Sequence, residues 1–250
     1  VLLKFPPENP IDVASHISKI EKRHNIEYAE LQKEAIITAV NKGILILTGG
    51  PGTGKTTTLN GIISMFEKDF LDIALCAPTG RAAQRMTETT GRTATTIHRL
   101  LEVEWGEGDK PVFKRNLRNP LDCQALIIDE MSMVDIFLFS SLLDALPFGC
   151  RLVMVGDSDQ LPSVSPGNVL KDLIESGLLP VVQLKEIFRQ SMESNIVKNA
   201  HSIVNGEYIE TDNKTGDFYM MQRGFSLDAV RTIKELSTSR LTNAYGFDPT

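Results

Sequence analysis

The sequence predicts an α/β fold in which a parallel sheet carries helices on both faces. Short apolar runs rich in β-branched residues alternate with segments of helical periodicity, which is the pattern of such a sheet. A glycine-rich loop joins the first apolar run to a helix, and acidic or polar residues follow two of the later runs. Ligands of parallel sheets bind at the carboxyl ends of the strands. We therefore expect the functional site along that edge.

The predicted elements follow one another along the chain without repeats. Helical spacing of apolar residues predicts two helices ahead of the first strand, over 12–23 and 27–40. Strands are predicted at 43–48, 72–77, 125–128, 151–155 and 181–184. Helices are predicted between them at 55–66, 80–90, 95–101 and 134–146, and one more at 227–236 in a polar tail.

A different pattern interrupts this alternation between residues 102 and 116. Val103 and Trp105 precede the glycine-containing stretch 106–109, and Val112 and Phe113 follow it. Alternating apolar residues on both sides of a glycine-rich turn are typical of a β-hairpin. We expect a small β-hairpin inserted into the sheet domain.

The loop at residues 49–56 is the most specific feature of the chain. It reads Gly-Gly-Pro-Gly-Thr-Gly-Lys-Thr and fills every fixed position of the phosphate-binding pattern G-x-x-x-x-G-K-[ST]. Its glycines allow backbone N–H groups to turn inward around a polyphosphate. Lys55 would then reach the β and γ phosphates, and the Thr56 hydroxyl would hold Mg²⁺. The predicted nucleotide-binding residues are Gly50, Pro51, Gly52, Thr53, Gly54, Lys55, Thr56 and Thr57.

Candidate catalytic groups follow two of the later strands. Asp129 and Glu130 come directly after the strand at 125–128. Asp129 is placed to hold Mg²⁺, and Glu130 to act as the general base for an attacking water. A helix N-cap followed by a solvated glutamate is the structural alternative. Gln160, beyond the next strand, is suited to sensing the γ-phosphate by hydrogen bonding, although ordinary turn chemistry also explains that stretch.

The composition limits the possible partners. With 42% hydrophobic and 23% charged residues the chain is typical of a soluble globular protein, and no apolar run approaches a membrane span. We expect a cytoplasmic protein. The net charge of −6 argues against a broad nucleic-acid footprint, so any such contact must be local. The 3 cysteines lack metal-ligand spacing and are expected in the core.

Taken together, the motifs resemble those of superfamily 1 helicases. The resemblance is to the RecD/TraA branch, which translocates 5′ to 3′ on single-stranded DNA and includes the α subunit of exodeoxyribonuclease V. It spans roughly residues 27 to 200 and implies a RecA-like P-loop NTPase domain. Besides the phosphate loop, the motifs that carry it are Ala77-Pro-Thr-Gly-Arg-Ala82, Thr96-Ile-His-Arg-Leu100, Asp129-Glu-Met-Ser-Met133, Val155-Gly-Asp-Ser-Asp-Gln-Leu-Pro162 and Leu184-Lys-Glu-Ile-Phe-Arg-Gln190.

The resemblance assigns roles to two further residues around the nucleotide. Gln32 matches the glutamine that reads adenine, and a side-chain amide that donates and accepts favours ATP over GTP. Arg189 matches the arginine that reaches the γ-phosphate, where it would act in catalysis. Without the resemblance, Arg189 could equally be a surface arginine.

The same resemblance places single-stranded DNA on a second group of residues. Thr79, Gly80 and Arg81 match a segment that grips the DNA backbone. His98 would lie on the DNA side, or serve as a structural histidine. The hairpin occupies the position of a pin that splits the duplex, where Trp105 could stack on a base or fill the core.

The resemblance also divides the chain into regions. Residues 1–26 would end a preceding region, 27–205 would form the first RecA-like ATPase domain with the pin at 102–116, and 206–250 would lead toward a second motor domain that is absent. We expect both ends to be cuts in a longer polypeptide. The chain alone should bind nucleotide weakly and not unwind DNA. Nuclease or helicase subunits of a recombination or repair complex are the expected partners.

One alternative function stays open. A stand-alone P-loop ATPase could act as a regulatory or partner-binding switch, with DNA incidental. The segment 78–82 favours the helicase, because a switch needs no nucleic-acid grip beside the phosphate loop. A small-molecule kinase would have no use for Asp129 and Glu130 together with the later Gly156, Asp157 and Gln160.

Overall fold

A computed structural model describes residues 13–69, 71–106, 111–186, 193–211 and 216–246, apart from the side chain of His24. The chain divides into two compact units, Val1–Met192 and Glu193–Thr250. The predicted boundaries after residues 26 and 205 stay predictions.

The first unit is built on a parallel sheet, as the sequence predicts. Among the described residues, six parallel strands pair in the order β3-β2-β6-β7-β1-β8. A separate antiparallel pair, β4 and β5, is the predicted hairpin, and its turn at 107–110 lies outside the described residues. The strands are β1 Ile44–Gly49, β2 Ile73–Ala77, β3 Ala94–Thr96, β4 Val103–Trp105, β5 Pro111–Phe113, β6 Ala125–Ile128, β7 Arg151–Gly156 and β8 Val181–Leu184.

Helices connect the strands and continue into the second unit. The helices of the first unit are α1 Val13–His24, α2 Glu30–Lys42, α3 Lys55–Lys68, α4 Gly80–Thr90, α5 Ile97–Leu100, α6 Ile136–Ala145 and α7 Val169–Glu175, with a 3₁₀ turn at Met131–Met133. The second unit contains α8 Asn195–Asn205, α9 Ser226–Glu235, a π turn Leu236–Arg240 and α10 Leu241–Tyr245. Nowhere in the described ranges is a helix both long and apolar enough for a transmembrane segment.

The core lies on both faces of the sheet. Successive side chains of a strand point to opposite faces, and β1 shows this directly. Leu45 and Leu47 pack into one apolar cluster with α1, α2 and α3, whereas Ile44 and Ile46 pack into a second cluster with α5 and α6. The strand is buried on both sides, which explains its continuous apolar run. The three cysteines are buried and unpaired.

Two parts of the sequence interpretation are corrected. The predicted helix at 95–101 begins as β3, which pairs with β2 through the partners Leu75 and Ala94, and only then turns into α5. Pairing with a distant strand overrides the local pattern at these half-buried residues. In addition, α7, α8 and α10 were not predicted, and α7 follows a stretch dominated by turn residues.

Asp135 is expected to stabilise α6 measurably. Its carboxylate accepts hydrogen bonds from the N–H groups of Phe137 and Leu138, each 2.9 Å long, at the start of the helix. Loss of such a cap costs about 1 kcal/mol, so Asp135→Ala should lower the melting temperature by about 2–4 °C. Asp144→Ala, on an exposed position of the same helix, is the matched control and should melt with the wild type. Equal melting of both variants would show that the cap contributes nothing.

Candidate active site

The phosphate loop lies between β1 and α3 at the carboxyl edge of the sheet. β1 is fully buried between β7 and β8, which fixes the loop's position. Gly52 and Gly54 have φ angles of 77° and 81°, in the left-handed region that glycine adopts without strain. At Gly49, a Cβ atom would lie 2.7 Å from the Leu184 carbonyl oxygen. The glycines are therefore required by the conformation of the loop and by its contact with β8.

Lys55 lies across the inside of the loop. Its Nζ donates to the carbonyl oxygens of Gly49, at 2.5 Å, and Gly50, at 3.0 Å. Burial lowers the pKa of Lys55, while the carboxylates of Asp157, Asp129 and Glu130 oppose that shift. The ammonium group is thus partly desolvated and held close to three acidic groups, where a polyphosphate would give it stronger partners than two carbonyls.

The two consecutive carboxylates, Asp129 and Glu130, leave the sheet at the end of β6. The Asp129 N–H donates to the Cys76 carbonyl at 2.9 Å, which continues the β2–β6 pairing by one residue. Its side chain accepts from the N–H of Glu130 at 2.9 Å and does not cap the 3₁₀ turn that follows. Glu130 itself has φ 53° and ψ 43°. A non-glycine residue in this region is strained, and such strain is concentrated at functional sites.

Both carboxyl groups are electrostatically perturbed. Burial raises the pKa of Asp129, and the Glu130 N–H bond and the charge of Lys55 counteract it. Burial also raises the pKa of Glu130, with the neighbouring Asp129 charge adding to the effect. Perturbed carboxyl groups in a cavity are candidates for catalytic acids and bases.

Gln160 and Asp157 follow β7 on the same edge. Asp157 is buried and accepts from the N–H of Asp159 at 3.0 Å, which closes a tight turn after the strand. This turn brings Gln160 beside Ser132, whose hydroxyl donates to Oε1 of Gln160 at 3.5 Å. The Gln160 amide is thereby placed opposite the phosphate loop, next to Glu130.

These segments enclose one cavity of about 670 Å³. Ten predicted site residues line it: Pro51, Gly52, Thr53, Gly54, Lys55, Thr56, Thr57, Asp129, Glu130 and Gln160. Four residues that the sequence interpretation did not identify line it as well: Leu59, Arg85, Thr89 and Val155. Of these four, Arg85 had a signal in the sequence. It lies four residues after Arg81, and residues four apart share a helix face.

Two other predicted nucleotide residues, Gln32 and Gly50, are not among the residues that line this cavity. Gln32 is 2% exposed and does not line the cavity, since its Nε2 donates to the Gly54 carbonyl at 3.2 Å and its Oε1 accepts from the Ala29 N–H at 3.0 Å. In this arrangement the amide supports the loop from behind. Gly50 accepts from Lys55 and from the Thr53 hydroxyl through its carbonyl. Arg189 lies outside the described residues. The roles predicted for these residues stay predictions.

The segment predicted to grip DNA forms the start of α4. It follows β2, which pairs with β6, the strand that ends just before Asp129. Thr79 is the N-cap of this helix, and its hydroxyl accepts from the Ala82 N–H at 3.2 Å. Gly80 has open space where a Cβ would lie, and Arg81 is exposed. The free N–H groups of a helix N-terminus, a small residue and an exposed guanidinium together suit an incoming phosphate.

The hairpin continues this surface. The His98 ring packs against Phe113 of the hairpin, with ring centroids 5.9 Å apart. Trp105 is 67% exposed, so it does not fill the described core. Lys114 forms an ion pair with Glu104, and Arg115 forms one with Glu102. Both pairs link the two sides of the hairpin near its base. The histidine thus has a structural contact, and the tryptophan offers a free ring face.

A divalent cation would find oxygen ligands in the cavity. Within the described ranges no group of three or more His, Cys, Asp or Glu side chains could hold a metal alone. The Thr56 hydroxyl and the Asp129 carboxylate both face the cavity. Mg²⁺ binds through one or two protein oxygens completed by substrate phosphates and water. The residues present therefore fit Mg²⁺ bound together with a nucleotide.

The sequence of the chain is similar to those of known proteins. Residues 32–166 match the family model described as AAA domain. The chain is 40% identical to the ATP-dependent RecD2 DNA helicase of Deinococcus radiodurans over 188 residues, which are 75% of this chain and 25% of that protein. It is 39% identical to the RecBCD enzyme subunit RecD of Mycolicibacterium smegmatis over 184 residues, 64% of this chain and 33% of that one. The chain thus spans a quarter to a third of the length of these relatives.

Solved structures agree on the fold. The Pif1 helicase from Candida albicans matches with a TM-score of 0.53 and 23% identity, covering 85% of this chain and 55% of that one. Pif1 of a Bacteroides species in complex with ADP-AlF4 matches with a TM-score of 0.52 and 23% identity, covering 86% and 57%. At this identity the likeness is one of fold.

Proposed function

The chain belongs to the AAA domain family, and from that membership we propose that it is the first RecA-like motor domain of an ATP-dependent DNA helicase. One observation carries the proposal. The phosphate loop, the two carboxylates Asp129 and Glu130, and Gln160 line a single cavity. The segment suited to DNA phosphates follows β2, the strand paired with β6, which ends just before those carboxylates. Identity of 40% to a RecD2 DNA helicase supports it.

ATP hydrolysis is the reaction for which the cavity is suited. The backbone N–H groups of the loop and Lys55 would hold the β and γ phosphates. Glu130 would accept a proton from a water molecule whose oxygen forms the new bond to the γ phosphorus. The bond from that phosphorus to the β–γ bridging oxygen then breaks, which yields ADP and inorganic phosphate. Gln160 would orient the water or the γ-phosphate, and Arg189 would stabilise the charge that develops on it.

Mg²⁺ held by Thr56 and Asp129 would neutralise phosphate charge during this reaction. The raised pKa of Glu130 also suits its role, because a more basic carboxylate is a better proton acceptor. Gln32 would contribute to the choice of adenine, either directly or through its bond to the Gly54 carbonyl.

Single-stranded DNA would lie along the first turn of α4 and the hairpin. Backbone contacts from Thr79, Gly80 and Arg81 carry no sequence information and suit a translocating motor. Trp105 would stack on a base at the hairpin. Movement in the 5′ to 3′ direction, in recombination or repair, follows from the resemblance to RecD. Relatives such as the RecD protein of Mycolicibacterium smegmatis are named as subunits of the RecBCD enzyme, which supports nuclease or helicase subunits as partners of the full-length protein.

The test is ATP hydrolysis by the full-length protein with and without single-stranded DNA. A motor that couples hydrolysis to movement on DNA should hydrolyse ATP many times faster when single-stranded DNA is present. Hydrolysis that is indifferent to DNA would favour a regulatory ATPase switch and would leave the assignment of α4 without support.

Arg81→Gln is expected to weaken single-stranded DNA binding and to leave its sequence preference unchanged. Loss of one phosphate contact should reduce the affinity several-fold at low salt and lower the dependence of log K on log salt by about 0.7 for single strands. Fluorescence anisotropy with labelled oligonucleotides at several salt concentrations measures both. Lys42→Gln is the control, because Lys42 is exposed just before β1 and so lies at the opposite edge of the sheet. An unchanged salt dependence for Arg81→Gln would remove this residue from the DNA path.

A further inference from the structure

Arg85 is a cationic side chain of the nucleotide cavity that the reaction described above does not use. It lies in the second turn of α4 and lines the cavity together with Lys55, Asp129 and Glu130. Its charge acts on all three groups, since it opposes the rise in the pKa of both carboxyls and contributes to lowering the pKa of Lys55. Arg85 therefore lies within electrostatic reach of the phosphate-loop lysine and the carboxylate pair.

Among the residues that the structure describes, the guanidinium of Arg85 has no fixed partner. Within the described part of the chain it makes no hydrogen bond, and no carboxylate oxygen lies within 4.0 Å of it. By contrast, Arg92, shortly after the same helix, is bonded to Glu67 through two nitrogens. The planar guanidinium of an arginine such as Arg85 is suited to bind a charged acceptor such as a phosphate group through two parallel hydrogen bonds.

Arg85 is exposed, and its position on α4 puts it at the edge of the cavity. The helix buries Ala83, Met86 and Thr90 against the sheet. A separate exposed pair, Gln84 and Glu88, is joined by a 3.0 Å hydrogen bond. Arg85 is exposed as well, but it takes no part in that hydrogen bond and lies in line with the residues four before and four after it, Arg81 and Thr89. That line of residues runs from the first turn of the helix to the lining of the cavity.

The helix is also tied to the phosphate-loop helix. The Asn60 side chain of α3 donates to the Thr89 carbonyl of α4 at 3.2 Å. At the other end, the Thr79 cap holds the first turn. Arg85 lies six positions after Thr79, which is about 9 Å along a helix axis. One short, capped helix thus connects Arg85 to the segment proposed to hold DNA.

We propose that Arg85 donates hydrogen bonds to the phosphates of the bound nucleotide and that α4 thereby couples nucleotide binding to the DNA contact at its first turn. The inference rests on the proposed function and extends it, because it adds a phosphate-contacting residue from outside the phosphate loop. A ligand that contacts one end of a rigid element changes the affinity at the other end by a reciprocal coupling. The affinity for nucleoside triphosphates, which carry more phosphate charge, should depend on Arg85 more than the affinity for diphosphates.

The experiment measures nucleotide affinity and its coupling to DNA in the full-length protein. Dissociation constants for fluorescent ADP and for a non-hydrolysable ATP analogue are compared among wild type, Arg85→Gln, Arg85→Lys and Arg118→Gln. Arg118 is exposed and lies outside the cavity lining, so its variant removes the same charge without the contact. Single-stranded DNA affinity is then measured with and without the analogue. Circular dichroism melting checks that each variant is folded.

We expect Arg85→Gln to weaken binding of the triphosphate analogue about 10- to 100-fold, as loss of a charge-assisted contact does. Arg85→Lys should retain part of the affinity for the analogue. In Arg85→Gln, single-stranded DNA should bind equally well with and without the analogue, so that the ratio of the two DNA affinities approaches one. Arg118→Gln should match the wild type. Triphosphate affinity within about twofold of the wild type, or a DNA ratio equal to that of the wild type, would overturn the inference.

Failure of the inference and failure of the proposed function give different results. If Lys55→Ala weakens nucleotide binding while Arg85→Gln does not, the cavity binds nucleotide and only the role of Arg85 is wrong. If neither substitution affects nucleotide binding, the proposed function itself fails.

Discussion

Replacing Glu130 by glutamine is expected to slow DNA-stimulated ATP hydrolysis by about 10²- to 10⁴-fold, the contribution typical of a positioned general base. The substitution keeps the size of the side chain and its capacity to hydrogen-bond but removes the proton acceptor. Nucleotide affinity should stay within a few-fold of the wild type, because Glu130 is not a phosphate ligand in the proposal. Steady-state hydrolysis and fluorescent-nucleotide binding by the full-length protein measure the two quantities separately.

The matched control for this prediction is Glu34→Gln. Glu34 is exposed on α2 and lies outside the cavity, so the same chemical change there should leave hydrolysis unaffected. If Glu130→Gln hydrolyses ATP at more than about a tenth of the wild-type rate, another group accepts the proton. DNA stimulation that disappears together with hydrolysis would further support a DNA-driven motor.

The strained backbone of Glu130 gives this prediction its structural basis. A non-glycine residue at φ 53° costs of order 1 kcal/mol or more. Glycine at this position would remove the backbone strain, but it has no side chain to accept a proton. Glu130→Gly is therefore expected to relax the turn and abolish hydrolysis together, which is the trade between stability and activity that active sites show.

The sequence predicted those parts of the site that depend on local chemistry. The bounds of α4, Gly80–Thr90, agree with the predicted helix because a threonine cap precedes it and Gly91, with a left-handed φ of 68°, ends it. The phosphate loop is likewise determined by its own glycines. In both cases a few adjacent residues carry the whole signal.

Features that arise from tertiary contacts were not predicted. β3 is only three residues long and exists because it pairs with β2, so no local pattern marks it. Arg85 lines the cavity because of where α4 lies in the fold. Its spacing from Arg81 indicates a shared helix face, but no sequence pattern indicates that this face borders the cavity. Gln32 was assigned to adenine by resemblance, whereas the structure shows its amide bonded to Gly54 and Ala29, an arrangement that periodicity cannot reveal.

Lys55→Ala is expected to cause the second large effect, a loss of about 100-fold in affinity for ATP, since a charged donor to phosphate is removed from a partly desolvated site. Without nucleotide, the folded protein should melt close to the wild type, because burial of the ammonium group disfavours its charged form and offsets the two carbonyl contacts that are lost. The difference should appear only when ligand is added. Wild-type protein at 100 times its dissociation constant gains about 2.7 kcal/mol from binding, and the variant should gain almost none.

Melting curves with and without Mg²⁺-ATP test this expectation, and Lys42→Ala at the opposite edge of the sheet is the control. A nucleotide-dependent rise in melting temperature that persists in Lys55→Ala would mean that the loop does not bind phosphate through this residue. A fall in the melting temperature of the nucleotide-free variant would instead show that Lys55 holds the loop together through Gly49 and Gly50. Burial disfavours the charged ammonium group in the empty loop, and phosphate binding offsets that cost, so removal of Lys55 should be costly only when nucleotide is present.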